Sequence, residues 1–155
     1  MINRIKALVL GSGASGAGIG GDGGDETQVA AVALLVEAAV MDGDFDDDER
    51  QTIARILGRQ FDLEAAGVED LIRAGEQAVE RSNQLYAFTS VVKKDFDFEQ
   101  RIGMIEMLWE VAYADGVLHD FEASLVRRVS GLIHVPDRDS GMARKRVLKR
   151  LGLNV

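Results

Sequence analysis

Two acidic segments of the chain share one pattern. Residues 37–49 read Glu-Ala-Ala-Val-Met-Asp-Gly-Asp-Phe-Asp-Asp-Asp-Glu, and residues 110–122 read Glu-Val-Ala-Tyr-Ala-Asp-Gly-Val-Leu-His-Asp-Phe-Glu. In both segments a glutamate, an Asp-Gly pair and a second glutamate fall at equivalent places. Each segment predicts the end of one helix, a turn at Asp-Gly and the start of another helix. Two related helix pairs predict a fold with internal two-fold symmetry and an acidic locus suited to a cation.

Outward from these segments the chain is helical in pattern. From residue 27 onward apolar residues recur at helical spacing, and no segment shows the sustained alternation typical of a strand. The first helix is apolar nearly all round, which predicts a central position in the core. We therefore predict an all-α domain of about seven helices over residues 27–155. The predicted helices cover residues 27–41, 46–58, 63–81, 84–94, 98–114 and 120–132, with a last amphipathic helix that has Pro136 in its first turn.

The N-terminal region differs from the rest of the chain. Residues 1–10 combine Arg4 and Lys6 with an apolar stretch, and we interpret them as a short amphipathic segment, either an interaction element or a tail. Residues 11–26 are rich in glycine and predict a flexible linker. Its glycines match the spacing of a dinucleotide-binding loop, but neither a following helix nor a parallel-sheet pattern accompanies them. The sequence therefore does not predict a nucleotide site.

Composition narrows the classes of function. The 155 residues suffice for one domain with a core of its own, and the absence of Cys excludes a disulfide framework and a Cys-ligated metal. No apolar run is long enough to span a bilayer, so we expect a cytoplasmic protein. The net charge of −8 argues against general nucleic-acid binding. Residues 123–155 nevertheless hold eight Lys and Arg against two Asp, which predicts either a solvated cationic helix or a docking surface for anionic lipid, nucleic acid or an acidic partner.

Four acidic residues of the repeat lie beside the predicted turns. Asp42 and Asp115 follow helix C-termini, where the helix dipole disfavours a negative charge, so a bound cation would compensate for their placement. The alternative is that Asp-Gly ends each helix, with the aspartate bonding the turn backbone. Glu49 and Glu122 stand three residues after the predicted helix N-caps, and helix capping alone is the alternative explanation for them.

The two remaining acids of the repeat lie inside predicted helices. Glu37 interrupts a long apolar helix, and Glu110 lies between apolar neighbours. A carboxylate in such surroundings must be paired, neutralised or in contact with water. For Glu37 the alternative to a functional role is an exposed stripe of the helix shared with Glu26, Ala30 and Ala33.

Face-to-face packing of the two helix pairs would bring four to six carboxylates together. Such a cluster requires a cation, a proton or nearby Lys and Arg. Oxygen ligands favour hard cations, here Ca²⁺ or Mg²⁺, although the acidic turn is not an EF-hand loop because it lacks that motif's glycine and final glutamate. The predicted metal ligands are Asp42, Glu49, Asp115 and Glu122, with Glu37 and Glu110 next in order.

The repeated motif also resembles a known family. Residues 39–43 (Ala-Val-Met-Asp-Gly) with Glu49, and residues 112–116 (Ala-Tyr-Ala-Asp-Gly) with Glu122, are similar to motifs of the tellurite-resistance TerB-like domain. That domain also forms the N-terminus of the DnaJ-like co-chaperone DjlA. The resemblance covers residues 27–151.

Further segments refine this resemblance. Arg4-Ile5-Lys6-Ala7 and Val135-Pro136-Asp137-Arg138 are similar to a stand-alone bacterial branch of the family. The resemblance implies an all-helical domain, acidic positions clustered between its halves, and metal-linked roles in stress response, with no enzymatic activity. The chain lacks the contiguous His-Pro-Asp of a J-domain, so co-chaperone activity is not implied.

These observations lead to three hypotheses. The first is a non-enzymatic cytoplasmic TerB-like module that binds a protein partner and a divalent cation at the doubled acidic motif. The second is a membrane- or protein-docking scaffold that uses residues 1–10 and the basic helix around residues 144–150 without a metal. The third is a metal-dependent hydrolase, for which the sequence offers no catalytic residues or nucleophile with a base partner.

Overall fold

The computed structural model describes residues 22–40, 46–81, 85–114, 116 and 118–153. These ranges contain seven helices and no strand, so the prediction of an all-α fold is confirmed. The helices are α1 (Asp22–Val40), α2 (Asp47–Phe61), α3 (Ala65–Arg81), α4 (Leu85–Asp95), α5 (Phe98–Ala112), α6 (Asp120–Leu132) and α7 (Asp137–Leu151).

Helix ends follow local capping chemistry. Asp46 and Asp97 are the N-caps of α2 and α5, and each side chain accepts a hydrogen bond from the backbone N–H three residues on. Helix α7 ends at Gly152 in the left-handed conformation with φ 73°, which glycine adopts at little cost. Pro136 is the N-cap of α7, one position before the first turn predicted for it. Helix α1 starts at Asp22, inside the stretch that the sequence assigned to the linker.

Helix α1 lies at the centre of the core, as its apolar composition predicted. Its residues 30–36 are all buried, and it packs against α2, α3, α4 and α5. Ala30 and Ala33 are 4% and 0% exposed, so the expectation of an exposed stripe beside Glu37 is wrong. Helix α3 packs tightly against α1 at Gly75, where a Cβ atom would lie 2.6 Å from Val32 Cγ1.

Two sets of three helices repeat one packing scheme. In the first set α1 contacts both α2 and α3, and in the second set α5 contacts both α6 and α7. The two leading helices, α1 and α5, pack against each other and join the sets. Helix α4 connects the sets in sequence and contacts α1 and α6. This arrangement has the internal repeat that the doubled acidic motif predicted, and it brings the start of α2 close to the end of α5.

Candidate functional site: an acidic cavity between the two repeats

A cavity of about 330 Å³ lies where the two repeats meet. It is lined by the start of α2, the end of α5 and the start of α6. Glu49 and Glu122, which occupy equivalent places in the repeat, both line it. The described lining residues are Asp46, Asp48, Glu49, Thr52, Val111, Ala114 and Glu122, with no Lys or Arg among them.

Glu49 and Glu122 also cap their helices. Glu49 Oε1 accepts a hydrogen bond from the Asp46 backbone N–H at 3.3 Å, and Asp46 Oδ1 accepts one from the Glu49 N–H at 2.9 Å. Glu122 Oε1 accepts from the His119 N–H at 3.4 Å, and this glutamate is only 7% exposed. Both glutamates therefore make the cap hydrogen bonds to the N-cap backbone that the sequence predicted.

The described lining of the cavity is acidic. Asp46 and Asp48 add two carboxylates to the two glutamates, and Thr52 Oγ1 donates to the Asp48 carbonyl oxygen at 3.0 Å. The N-terminal ends of α2 and α6 both contribute residues to the lining, and the positive end of each helix dipole offsets part of the negative charge. A hard cation would be attracted by the remainder, and the volume leaves room for several of its water ligands.

Asp42 and Asp115, the first two ligands predicted from the sequence, lie outside the described residues. The chain on either side of Asp115 is described: Ala114 lines the cavity, and Gly116 has a φ of 86°. Within the described ranges, no three Asp, Glu or His side chains are grouped closely enough to hold a metal ion. A complete ligand set at this cavity would therefore require side chains beyond the described ones.

Glu110 has a different environment from the one expected of a metal ligand. Its carboxylate is 2% exposed, and its Oε1 accepts hydrogen bonds from Arg59 Nη2 at 2.5 Å and Arg150 Nη2 at 2.9 Å. Burial by itself raises the pKa of Glu110, but the two guanidinium groups outweigh it and hold the pKa below its usual range. Glu110 thus ties α5 to the C-terminal ends of α2 and α7, and it does not line the cavity.

Glu37, the equivalent residue of the first repeat, has no such partners within the described ranges of the chain. Its side chain is partly buried on α1, and desolvation raises its pKa above the usual value. Among the described residues, none donates a hydrogen bond or an ion pair to it, and it is not a lining residue of the cavity. The structure therefore brings together Glu49 and Glu122 but neither Glu37 nor Glu110.

Sequence reasoning missed the partners of the second repeat. Arg59 and Arg150 lie far from Glu110 in sequence, and only helix packing brings them to it. Arg144 donates from Nε to the Tyr113 hydroxyl at 2.8 Å and stacks 5.9 Å from the Trp109 ring. The sequence did contain a signal for these partners: a glutamate with apolar neighbours and a C-terminal helix rich in Arg and Lys. A buried carboxylate requires a cationic or hydrogen-bonding partner.

The fold and the cavity define a class of protein: an all-α domain of two related three-helix units that place carboxylates at their junction. The family model described as "Tellurite resistance protein TerB" matches residues 28–145. The chain belongs to this family. Among solved structures, a protein of unknown function from Porphyromonas gingivalis W83 is similar, with a TM-score of 0.62 and 17% identity over 79% of this chain and 88% of that one. This likeness shows a shared fold. No curated protein matches the chain.

The described part of the chain contains no candidate membrane-spanning helix. None of the seven helices combines the length and apolar character needed to cross a bilayer.

Proposed function

We propose that the protein is a non-enzymatic TerB-like module that binds a divalent cation, Ca²⁺ or Mg²⁺, in the acidic cavity between its repeats. The observation that carries this proposal is the meeting of Glu49 and Glu122 at one cavity without a described Lys or Arg in its lining. A purely capping role requires each glutamate to serve its own helix and gives no reason for the two to share a cavity.

The proposed ligand set combines four residues. Glu49 and Glu122 supply carboxylates from the described structure. Asp42 and Asp115 are included because of their equivalent sequence positions, and the neighbour of Asp115, Ala114, lines the cavity. All donors are oxygen atoms, which favours Ca²⁺ or Mg²⁺ over the softer transition metals. Glu110 is left out of the set because two arginines already neutralise it.

The cellular role that we propose follows from this site and from the family. A cation that bridges the turns of both repeats would favour one conformation of the surface around the cavity. A protein partner that binds this conformation would then bind the protein in a cation-dependent way. The family name supports a role in a stress response of the tellurite-resistance type, and we propose that this role is exercised in the cytoplasm.

The structure supplies a substitution that separates capping from cation binding. In α5 the capping box is Asp97 with Gln100, and the neutral Gln100 Oε1 accepts from the Asp97 N–H at 2.9 Å. A glutamine therefore makes this cap without a charge. Glu49→Gln with Glu122→Gln should keep both caps while removing two ligand charges, and Glu99→Gln in the first turn of α5 is the matched control outside the cavity.

The test is isothermal titration of the full chain with Ca²⁺ and Mg²⁺, with thermal unfolding measured in parallel. The wild type and Glu99→Gln should bind one of the two cations, and a concentration of 100 times Kd should stabilise the fold by about 2.7 kcal/mol. The double glutamine variant should remain folded and bind at least about tenfold more weakly, since each carboxylate is a direct ligand. Absence of both heat and thermal shift in the wild type, or equal affinity in the double variant, refutes the proposed site.

A further inference from the structure

The basic residues of the C-terminal helix fall into two groups. Arg144, Arg146 and Arg150 are held against the protein by the Tyr113 hydroxyl and by the carboxylates of Glu106 and Glu110. These three cations are therefore occupied within the fold and are poor candidates for external docking.

The second group forms a straight row on the outer side of α7. Arg138, Lys145 and Lys149 are exposed, and no ion pair to them is found in the part of the chain that the structure describes. Met142, 48% exposed, lies between them. We call these four residues the outer stripe of α7.

Helix geometry places this stripe opposite the core. At 3.6 residues per turn, its members fall within roughly 60° of one another and extend over about 16 Å along the axis. Three of the four buried residues of α7, Ser140, Ala143 and Val147, lie on the far side of the helix, and the fourth, Leu148, lies on its flank. The two acids of the helix, Asp137 and Asp139, are confined to its first turn beside Arg138. The stripe is thus a ridge with three cations and an apolar side chain in its middle.

We propose that the outer stripe of α7 docks the protein on the surface of an anionic phospholipid bilayer. Charge complementarity is the first argument, since none of the described residues forms an ion pair with the three cations of the row. Shape is the second: a ridge opposite the core makes contact with a plane along its length, whereas a peptide helix or an added strand is bound in a groove or at a sheet edge. No residue of α7 lines the cavity described above, so the stripe offers no such groove there.

The exposed methionine is the third argument. A bilayer interface presents phosphate groups above an apolar layer, and an apolar side chain flanked by Lys and Arg matches that order because the long cationic side chains reach the headgroups. Each Lys or Arg near an anionic surface strengthens partitioning roughly fivefold, so three give about a hundredfold. This attraction is reversible and salt-dependent, and it acts within a Debye length of about 8 Å despite the net negative charge of the protein.

Co-sedimentation of the full chain with phosphatidylcholine vesicles, with or without phosphatidylserine, tests the proposal. The stripe variant is Arg138→Gln with Lys145→Gln and Lys149→Gln. The control variant carries the same charge change at exposed cations of other helices, Arg55→Gln with Lys93→Gln and Lys94→Gln. The wild type should bind only the vesicles that contain phosphatidylserine, added salt should release it, and the stripe variant should lose about a hundredfold in partitioning while the control loses little.

Two outcomes overturn the proposal. One is equal loss in the stripe and control variants, or equal binding to both vesicle compositions. The other is binding of polyglutamate by the stripe without binding to vesicles, which would assign the surface to an acidic protein partner. The variant with Glu49→Gln and Glu122→Gln should bind vesicles as the wild type does, so this inference and the cation proposal fail separately.

Discussion

The buried carboxylate of Glu110 should contribute measurably to the stability of the fold through its two ion pairs. It is 2% exposed and joins Arg59 of α2 and Arg150 of α7, which are 45% and 39% exposed. Glu110→Gln removes the charge, retains the approximate shape and leaves two guanidinium groups without their shared partner. Hydrogen bonds to charged groups contribute about 1.5–3 kcal/mol, and breaking a fully buried pair costs about 3–5 kcal/mol. Because water partly screens both arginines, we expect a loss of about 2–3 kcal/mol.

Glu106 is the matched control for this substitution. It lies one turn earlier on α5 and pairs with Arg146 and again with Arg150, but its side chain is 21% exposed. Glu106→Gln should cost less than about 1 kcal/mol, as is usual for solvent-exposed ion pairs. Arg150→Gln alone and combined with Glu110→Gln completes a double-mutant cycle that isolates the energy of that pair.

Acid should abolish the difference between the wild type and Glu110→Gln. The folded-state pKa of Glu110 lies below its unfolded-state value of about 4.3, so the ion pairs contribute fully above that pH. The contribution is then lost as the pH falls through the lower folded-state pKa. Urea unfolding at a series of pH values, followed by far-UV circular dichroism in metal-free buffer, measures it. Equal costs for Glu110→Gln and Glu106→Gln at neutral pH, or a gap that does not narrow in acid, would refute the argument.

Two further predictions concern the packing at Gly75 and the ionisation of Glu37. Gly75→Ala should destabilise the fold by about 1–2 kcal/mol, because a Cβ 2.6 Å from Val32 Cγ1 forces α1 and α3 apart. This cost outweighs the higher helix propensity of alanine. Gly141→Ala should instead stabilise the fold by about 0.5–1 kcal/mol, because a Cβ there meets no atom of another element within 4 Å. Equal effects of the two in urea unfolding would contradict this. Glu37→Gln should raise stability at pH 7, since burial raises the pKa of Glu37 and its ionisation destabilises the fold as the pH rises above about 4.3. The gain should vanish below that pH, and cation affinity in the titration should not change because Glu37 does not line the cavity.

The elements of this fold were predictable where the signal is local. Apolar spacing and the caps at Asp46 and Asp97 set the helix starts to within a few residues, because a cap involves only atoms of one turn. The approach of Glu49 to Glu122 was also predictable, but only through the symmetry that the repeat implied. The burial of Ala30 and Ala33 could not be predicted. The pattern of a helix shows which of its faces are apolar, but it does not show how many neighbouring helices will cover them.

The two repeats have glutamates at equivalent positions, but the cationic partners of Glu110 have no counterparts at the corresponding sequence positions of the first repeat. This difference explains why the pKa of Glu37 is raised and that of Glu110 is lowered. Counted without gaps in the register that aligns Glu37 with Glu110, Arg150 corresponds to Gln77 and Arg59 corresponds to Leu132. At the corresponding sequence positions of the first repeat, both cations that neutralise Glu110 are thus replaced by uncharged residues. Burial raises the pKa of Glu37, whereas the two arginines lower that of Glu110. The chemistry that the two repeats share is therefore that of Glu49 and Glu122. Each accepts a hydrogen bond from its own N-cap backbone N–H, and both line the one cavity. A cation bound between the repeats would use the part of the motif that has stayed symmetric, while Glu110 has become an ionic tie between helices.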